Sequence, residues 1–160
     1  MRKGILGKDG VEELPLKLII IAIVVAITIP IMVDSLSNFS NDQVLSDIRA
    51  EIAKVVTAIK LSYSSGIGTS IPVTVSLQNG VMTSIDYIKI GDTRGAVYEA
   101  MIRFKVSTDN VQYIQIEPYI PVTYGPAGFT SPMTLSAGHY HLHAVHRGDG
   151  GNDYVEMVLD

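Results

Sequence analysis

The chain has 160 residues, is 47% hydrophobic against 18% charged, and carries a formal net charge of -4 with no cysteine. An acidic balance without a basic patch argues against nucleic acid as a partner. Zero cysteines exclude a disulfide framework, a thiol nucleophile and a cysteine-ligated zinc, so stability has to come from packing, from neighbouring copies, or from both.

Met1 to Gly10 forms a short basic leader with Arg2, Lys3 and Lys8; Glu12 and Glu13 follow, and then an almost purely apolar run from Leu14 to Val33. That run is about the ~20 residues a helix needs to cross the hydrocarbon core of a bilayer. Positive charge precedes it while Asp34, Asp42 and Asp47 follow it, which predicts a membrane-anchored precursor with a cytoplasmic amino terminus and the remaining bulk outside the cell. A secretory signal peptide has a shorter apolar core, roughly 7 to 15 residues, with a small-residue cleavage site after it. Here the small residue lies before the run. Cleavage between Gly10 and Val11 strips the basic residues and keeps the whole apolar helix; Gly4, followed by Ile5, offers an alternative site.

With Lys8-Asp9-Gly10 leading into Val11-Glu12-Glu13-Leu14, the leader and helix resemble type IV pilins, specifically the archaeal pilin-like proteins with a class III signal peptide, a family that includes archaeal pilins and archaellins. The resemblance implies a long apolar helix carrying an extracytoplasmic β-rich head, and a homo-oligomeric helical filament at the cell surface. It further implies that Gly10 ends the leader, that a prepilin peptidase and membrane assembly machinery are partners, and that Glu12 or Glu13 neutralises a neighbour's new amino terminus. It implies no cofactor.

Along the rod, Pro15 suits a first helical turn, which lacks an intrahelical partner for the missing donor, and Glu12 and Glu13 sit where the helix dipole favours negative charge. Lys17 follows Glu13 by four residues, the favourable order for a helical ion pair. Ile20, Ile23 and Val24 lie in the apolar run, where a charge would cost several kcal/mol in lipid or in a dry helix bundle. Pro30 removes a backbone hydrogen bond and predicts a kink or local melting near Ala26 to Pro30. A polar collar from Asp34 to Asp42 predicts fraying where the helix leaves the bilayer. Leu45, Ile48, Ile52, Val55 and Ile59 then recur at steps of three and four, a single helical face whose expected partner is the chain's own head.

Ser64 to Pro72 is rich in turn-favouring residues and reads as a linker. Beyond it, Val73, Val75 and Leu77 alternate with polar residues, and Asn79-Gly80 predicts a hairpin into Val81 to Ile90. Alternation continues in Tyr98 to Val106, and Val111 to Glu117, Tyr119 to Tyr124, Met133 to Ser136, Tyr140 to Val145 and Tyr154 to Leu159 complete about eight short strands with Gly, Pro, Asn and Asp turns between them. The expected fold class is α+β: one long N-terminal apolar helix followed by an antiparallel β-sandwich or small β-barrel head. The expected segments are a leader at 1–10, a helix at 11–62 with an apolar part at 14–33 and an amphipathic part at 41–62, a linker at 63–72 and a β domain at 73–160.

Chemistry-bearing patterns are sparse. His139, His141 and His143 share a face if they lie on one strand, where alternate residues are about 7 Å apart, so two imidazoles can chelate one metal; solvated histidines on an outer face are the default. His146 falls on the opposite face. Asn38-Phe39-Ser40 is a glycosylation sequon, with Asn38 on the exported side. No G-x-S-x-G, H-E-x-x-H, P-loop or dinucleotide fingerprint is present, and the expected protein is not an enzyme. The expected function is a structural subunit of an extracellular type IV pilus-like filament; the alternative is a singly anchored surface domain that binds a partner or ligand without polymerising.

Overall fold

The structure, a computed structural model, describes residues 9–107, 109–125 and 131–160. It has α+β architecture: among the described residues one long helix, α1 (Asp9–Ser64), precedes eight strands in two four-stranded sheets. The chain divides into two units, residues 1–39 and 40–160.

Within the first unit, α1 runs unbroken through Pro15, Pro30 and the polar collar, so the predicted melting at Pro30 and fraying after Val33 do not occur. Opening a turn would orphan several backbone groups where Pro30 removes only one bond, and such groups are most costly where water is scarce. The hydroxyls on this stretch are turned back onto the helix: Thr28 Oγ1 donates to Val24 O at 2.7 Å and Ser35 Oγ to Ile31 O at 2.8 Å. Each thereby satisfies its own donor without a partner outside the helix.

In the second unit, α1 becomes amphipathic and its stripe enters the core. Leu45, Ile48, Ile52, Val55 and Ile59 are all buried, joined by Val44 and Ala58, in one apolar cluster that also takes Val75, Leu77, Leu142, Ala144 and Met157 from one sheet and Ile88, Ile102, Phe104 and Met133 from the other. The strands are β1 (Ser70–Leu77), β2 (Ile85–Ile90), β3 (Met101–Val106), β4 (Gln112–Gln115), β5 (Val122–Tyr124), β6 (Met133–Leu135), β7 (Gly138–Asp149) and β8 (Asn152–Leu159). Sheet order is β1-β7-β8-β5 in one and β4-β3-β2-β6 in the other. Polar groups on the helix flanks reach the end strand of each sheet. Glu51 Oε2 accepts the Ser76 backbone N–H of β1 at 3.2 Å, and Arg49 Nη2 donates to Gln112 Oε1 of β4 at 2.9 Å.

Three expectations are corrected. The linker is shorter than read, because β1 begins at Ser70 and includes Pro72; as an end strand it has a side on which a missing donor costs nothing. Asn79-Gly80 makes no hairpin: β1 pairs with β7 while β2 pairs with β3 and β6. Asn79 Oδ1 instead accepts the Ile85 N–H at 2.8 Å, and a Cβ on Gly80 would stand 2.5 Å from Ser40 Oγ and 2.7 Å from Val44 Cγ2. The dipeptide lays a crossing loop onto α1, where any larger residue would have to displace the Ser40 and Val44 side chains. Finally, the sheets are not wholly antiparallel, since β5 pairs with β8 in parallel.

Gly91 joins the two sheets. It has φ +68°, and a Cβ there would lie 1.9 Å from Val122 O, while Asp92 N–H donates to that oxygen at 3.1 Å and Val122 N–H donates to Glu99 O at 2.8 Å. Backbone therefore meets backbone between β2 and β5 with no room for a side chain.

The stripe's burial sets a testable boundary. Each such side chain contributes roughly 1.5 to 3 kcal/mol, in sum comparable with a domain's net stability of about 5 to 15 kcal/mol. A fragment spanning 40–160 is expected to melt cooperatively with a fixed near-ultraviolet circular dichroism signal, and one spanning 71–160 to show neither. Equal melting temperatures for the two would contradict the shared core.

Candidate functional site

The feature with functional weight is apolar surface. Thirteen large apolar side chains between Leu16 and Val33, Ile20, Ile23 and Val24 among them, are each 45 to 65% exposed around the whole circumference of α1. An amphipathic helix would show one dry face; this stretch shows none, so it has no partner within its own unit. By length and composition it is long and apolar enough to cross a membrane. Ordinary soluble monomers rarely expose a contiguous apolar patch beyond a few hundred Å².

The 40–160 unit adds a second apolar surface. Opposite the buried stripe, α1 presents Ala50, Ala53, Thr57 and Leu61 to solvent. Ala50, Ala53, Thr57 and Leu61 wall a groove of about 430 Å³ completed by Ile71, Pro72 and Val73 of β1. Thr57 and Leu61 also wall a second groove, of about 390 Å³, with Tyr63, Pro118 and Ile120. Ala50, Ala53 and Thr57 are small enough to let another chain approach this face closely, with Lys54 and Leu61 flanking them. The sequence reading found the buried stripe and missed this face, because Ala and Thr carry no hydrophobic period and the groove walls come from distant segments.

The other candidate residues are placed as follows. Gly4 and Ile5 lie outside the described residues. Gly10, Val11, Glu12 and Glu13 belong to the opening turns of α1, and their side chains lie outside what is described. Asn38 is exposed on α1, but Ser40, the hydroxyl residue of its sequon, is 5% exposed and its Oγ accepts the Met82 N–H at 3.3 Å. The sequon thus lies in a helix and not in the surface loop that the motif implies.

The histidines lie on β7. His139 and His141 are exposed, and His141 Nδ1 is 3.3 Å from Thr74 Oγ1. His143 Nδ1 is 3.1 Å from Ser70 Oγ and its Nε2 is 3.1 Å from Asp160 Oδ2. The strand register spends these rings on hydroxyls across β1 and on one carboxylate; among the described residues no three His, Asp or Glu side chains converge on a metal position. His146, on the opposite face, is buried and stacks on Tyr63 with ring centres 4.7 Å apart.

Next to the second groove, the turn after Glu117 carries Tyr119, whose hydroxyl donates to Glu99 Oε1. That hydrogen bond holds the phenolic proton, partial desolvation and the Glu99 charge act in the same direction, and the Tyr119 pKa is pushed up from 10.0 to about 12.

No family model, curated protein or solved structure matches this chain.

The Tyr119 shift has a definite sign in stability. Between pH 10 and 12 the unfolded chain has lost this proton and the folded chain keeps it, so the contribution is whole below pH 10 and is lost as pH rises toward 12. Tyr119→Phe is expected to melt with a shallower decline across that interval than the parent chain. Identical slopes would mean that Glu99 does not hold the proton.

Proposed function

We propose that this chain is the structural subunit of an extracellular, type IV pilus-like filament of the archaeal kind, assembled as a helical homo-oligomer through its apolar helix. The observation that carries the reading is the all-round exposure of the apolar side chains from Leu16 to Val33. Such a rod has two low-energy environments, a bilayer or a bundle of identical rods. Before assembly the bilayer holds it, with the amino terminus in the cytoplasm. After a prepilin peptidase cuts between Gly10 and Val11, assembly machinery transfers the rod into the bundle, where Glu12 or Glu13 meets a neighbour's new amino terminus. A contact between unlike surfaces that does not close on itself, repeated along an axis, yields a fibre. The two sheets and their common core are read as a sandwich closed by the amphipathic turns of α1, and the groove-lined Ala50, Ala53, Thr57 and Leu61 face is read as a place where a neighbouring helix packs.

Amino-terminal sequencing of surface filaments purified from the source cell is expected to begin at Val11. A start at Ile5 would move the cut to Gly4, and an intact Met1 on filaments would contradict processing. Membrane-held protein without filaments by electron microscopy would favour the singly anchored surface domain.

Two variants probe the contacts. Glu12→Gln combined with Glu13→Gln is expected to leave insertion intact and lower filament yield. Ala53→Glu combined with Leu61→Glu, both on the exposed face, is expected to shift stability of the 40–160 unit by no more than about 0.5 kcal/mol per site while also lowering filament yield. Normal filament yield from both would leave neither contact with a role in assembly.

A further inference from the structure

Beside Tyr119 lies a cavity of about 310 Å³ unlike the two apolar grooves, because its walls include Tyr63, Arg94, Glu99, Tyr119, Asn152 and Asp153. We propose that this cavity binds a neutral pyranose ring, presented as a surface or exopolymer glycan residue. The inference is independent of filament assembly.

Three observations carry it. The volume sits at the small end of the roughly 300 to 1,000 Å³ typical of small-molecule sites, room for one ring and not for an extended peptide. The wall chemistry matches a polyol: two carboxylates accept hydroxyl protons, an amide and a guanidinium donate, and two phenol rings offer flat apolar surface to the C–H face of a sugar. Two carboxylates against one arginine disfavour an anion.

The third observation is behind the wall. His146 is 4% exposed and neither ring nitrogen has a hydrogen-bond partner. Its Nε2 faces Asp153 Oδ2 at 3.8 Å, too long for a hydrogen bond, and Tyr63, a cavity residue, stacks on its ring. Buried polar atoms without partners are uncommon in native proteins. The His146 ring thus backs the cavity wall at both Tyr63 and Asp153, and reports on a ligand seated against them.

The test uses the full chain in lipid nanodiscs free of sugar-based detergent, with methyl glycosides of glucose, galactose, mannose and N-acetylglucosamine as probes, and glucuronate and inorganic phosphate as anionic comparisons. Saturation-transfer NMR is expected to show binding of at least one neutral glycoside, with perturbation of the His146 imidazole signals and not those of His139. Asn152→Ala, at the exposed start of β8, and Asp153→Asn are each expected to weaken that binding about three- to tenfold, while Asp160→Asn, outside the cavity, leaves it unchanged. The same sugar at the end of an oligosaccharide is expected to bind at least as well as the free glycoside, as a glycan residue should; a free glycoside that binds while its oligosaccharide does not would overturn the glycan assignment. No transfer to any neutral glycoside, tighter binding of glucuronate or phosphate, or unchanged affinity in both cavity variants would overturn the site.

Discussion

The fold depends on four turns of helix, Val44 to Ile59, being part of the head's core. Ile59 has no exposed surface and Ile48 has 1%, and the cluster they join takes side chains from both sheets. Without these turns, the common apolar cluster would lose Val44, Leu45, Ile48, Ile52, Val55, Ala58 and Ile59, and the strand side chains packed on them would open to water. The helix also meets the sheets through polar contacts at their ends. Glu51 accepts a backbone donor of β1 that the end of a sheet leaves unpaired, and Arg49 holds Gln112 on β4. An open strand edge is a liability for aggregation, and covering it with a helix is one of the standard remedies. One segment therefore supplies core and edge protection together, in a domain with no cysteines to cross-link it.

Two backbone approaches then fix how the strands run. At Gly80 the loop leaving β1 meets α1 so closely that Ser40 and Val44 leave no space for a Cβ, and Ser40 Oγ accepts the Met82 N–H there. At Gly91 the chain leaving β2 meets β5, and the neighbouring Asp92 N–H donates to Val122 O. Neither glycine is serving a hairpin. Each permits an irregular crossing in which backbone groups find partners outside their own sheet, as buried backbone requires.

Much of this was legible in the sequence because it is periodic. The steps of three and four from Leu45 to Ile59 announced a buried helical face, and alternation in Tyr98 to Val106 announced a strand with one buried face; β3 has that face but starts at Met101, since Tyr98 to Ala100 form a turn. What failed was pairing. Asn79-Gly80 carries a strong local preference for a two-residue turn, yet Asn79 spends its side chain on Ile85 and the two strands go to different sheets. The parallel partnership of β5 and β8 was out of reach for a similar reason: a strand was expected over Tyr119 to Tyr124, but nothing local marks a partner some thirty residues later. At the candidate site the apolar rod was readable from composition alone. The groove-lined face and the polar cavity were not, because their walls come from the helix, β1 and three separate connections between strands that only the fold brings together.

Tyr63 belongs both to the second groove and to the polar cavity. Its ring walls the second apolar groove with Thr57 and Leu61, walls the polar cavity with Glu99 and Asp153, and stacks on buried His146. A neighbour packed into the groove would press on one side of that wall, and a ligand in the cavity on the other. The half-buried ring is backed by its stack on buried His146, so pressure from either side falls on that stack. The adjoining backbone gives little relief: Ser62, with no exposed surface, donates to Thr69 O, and Gly68 and Thr69 are hydrogen-bonded to the His146 backbone. Ring and strand are thus held to one frame at the end of α1, and groove and cavity share that frame although they differ in every other lining residue.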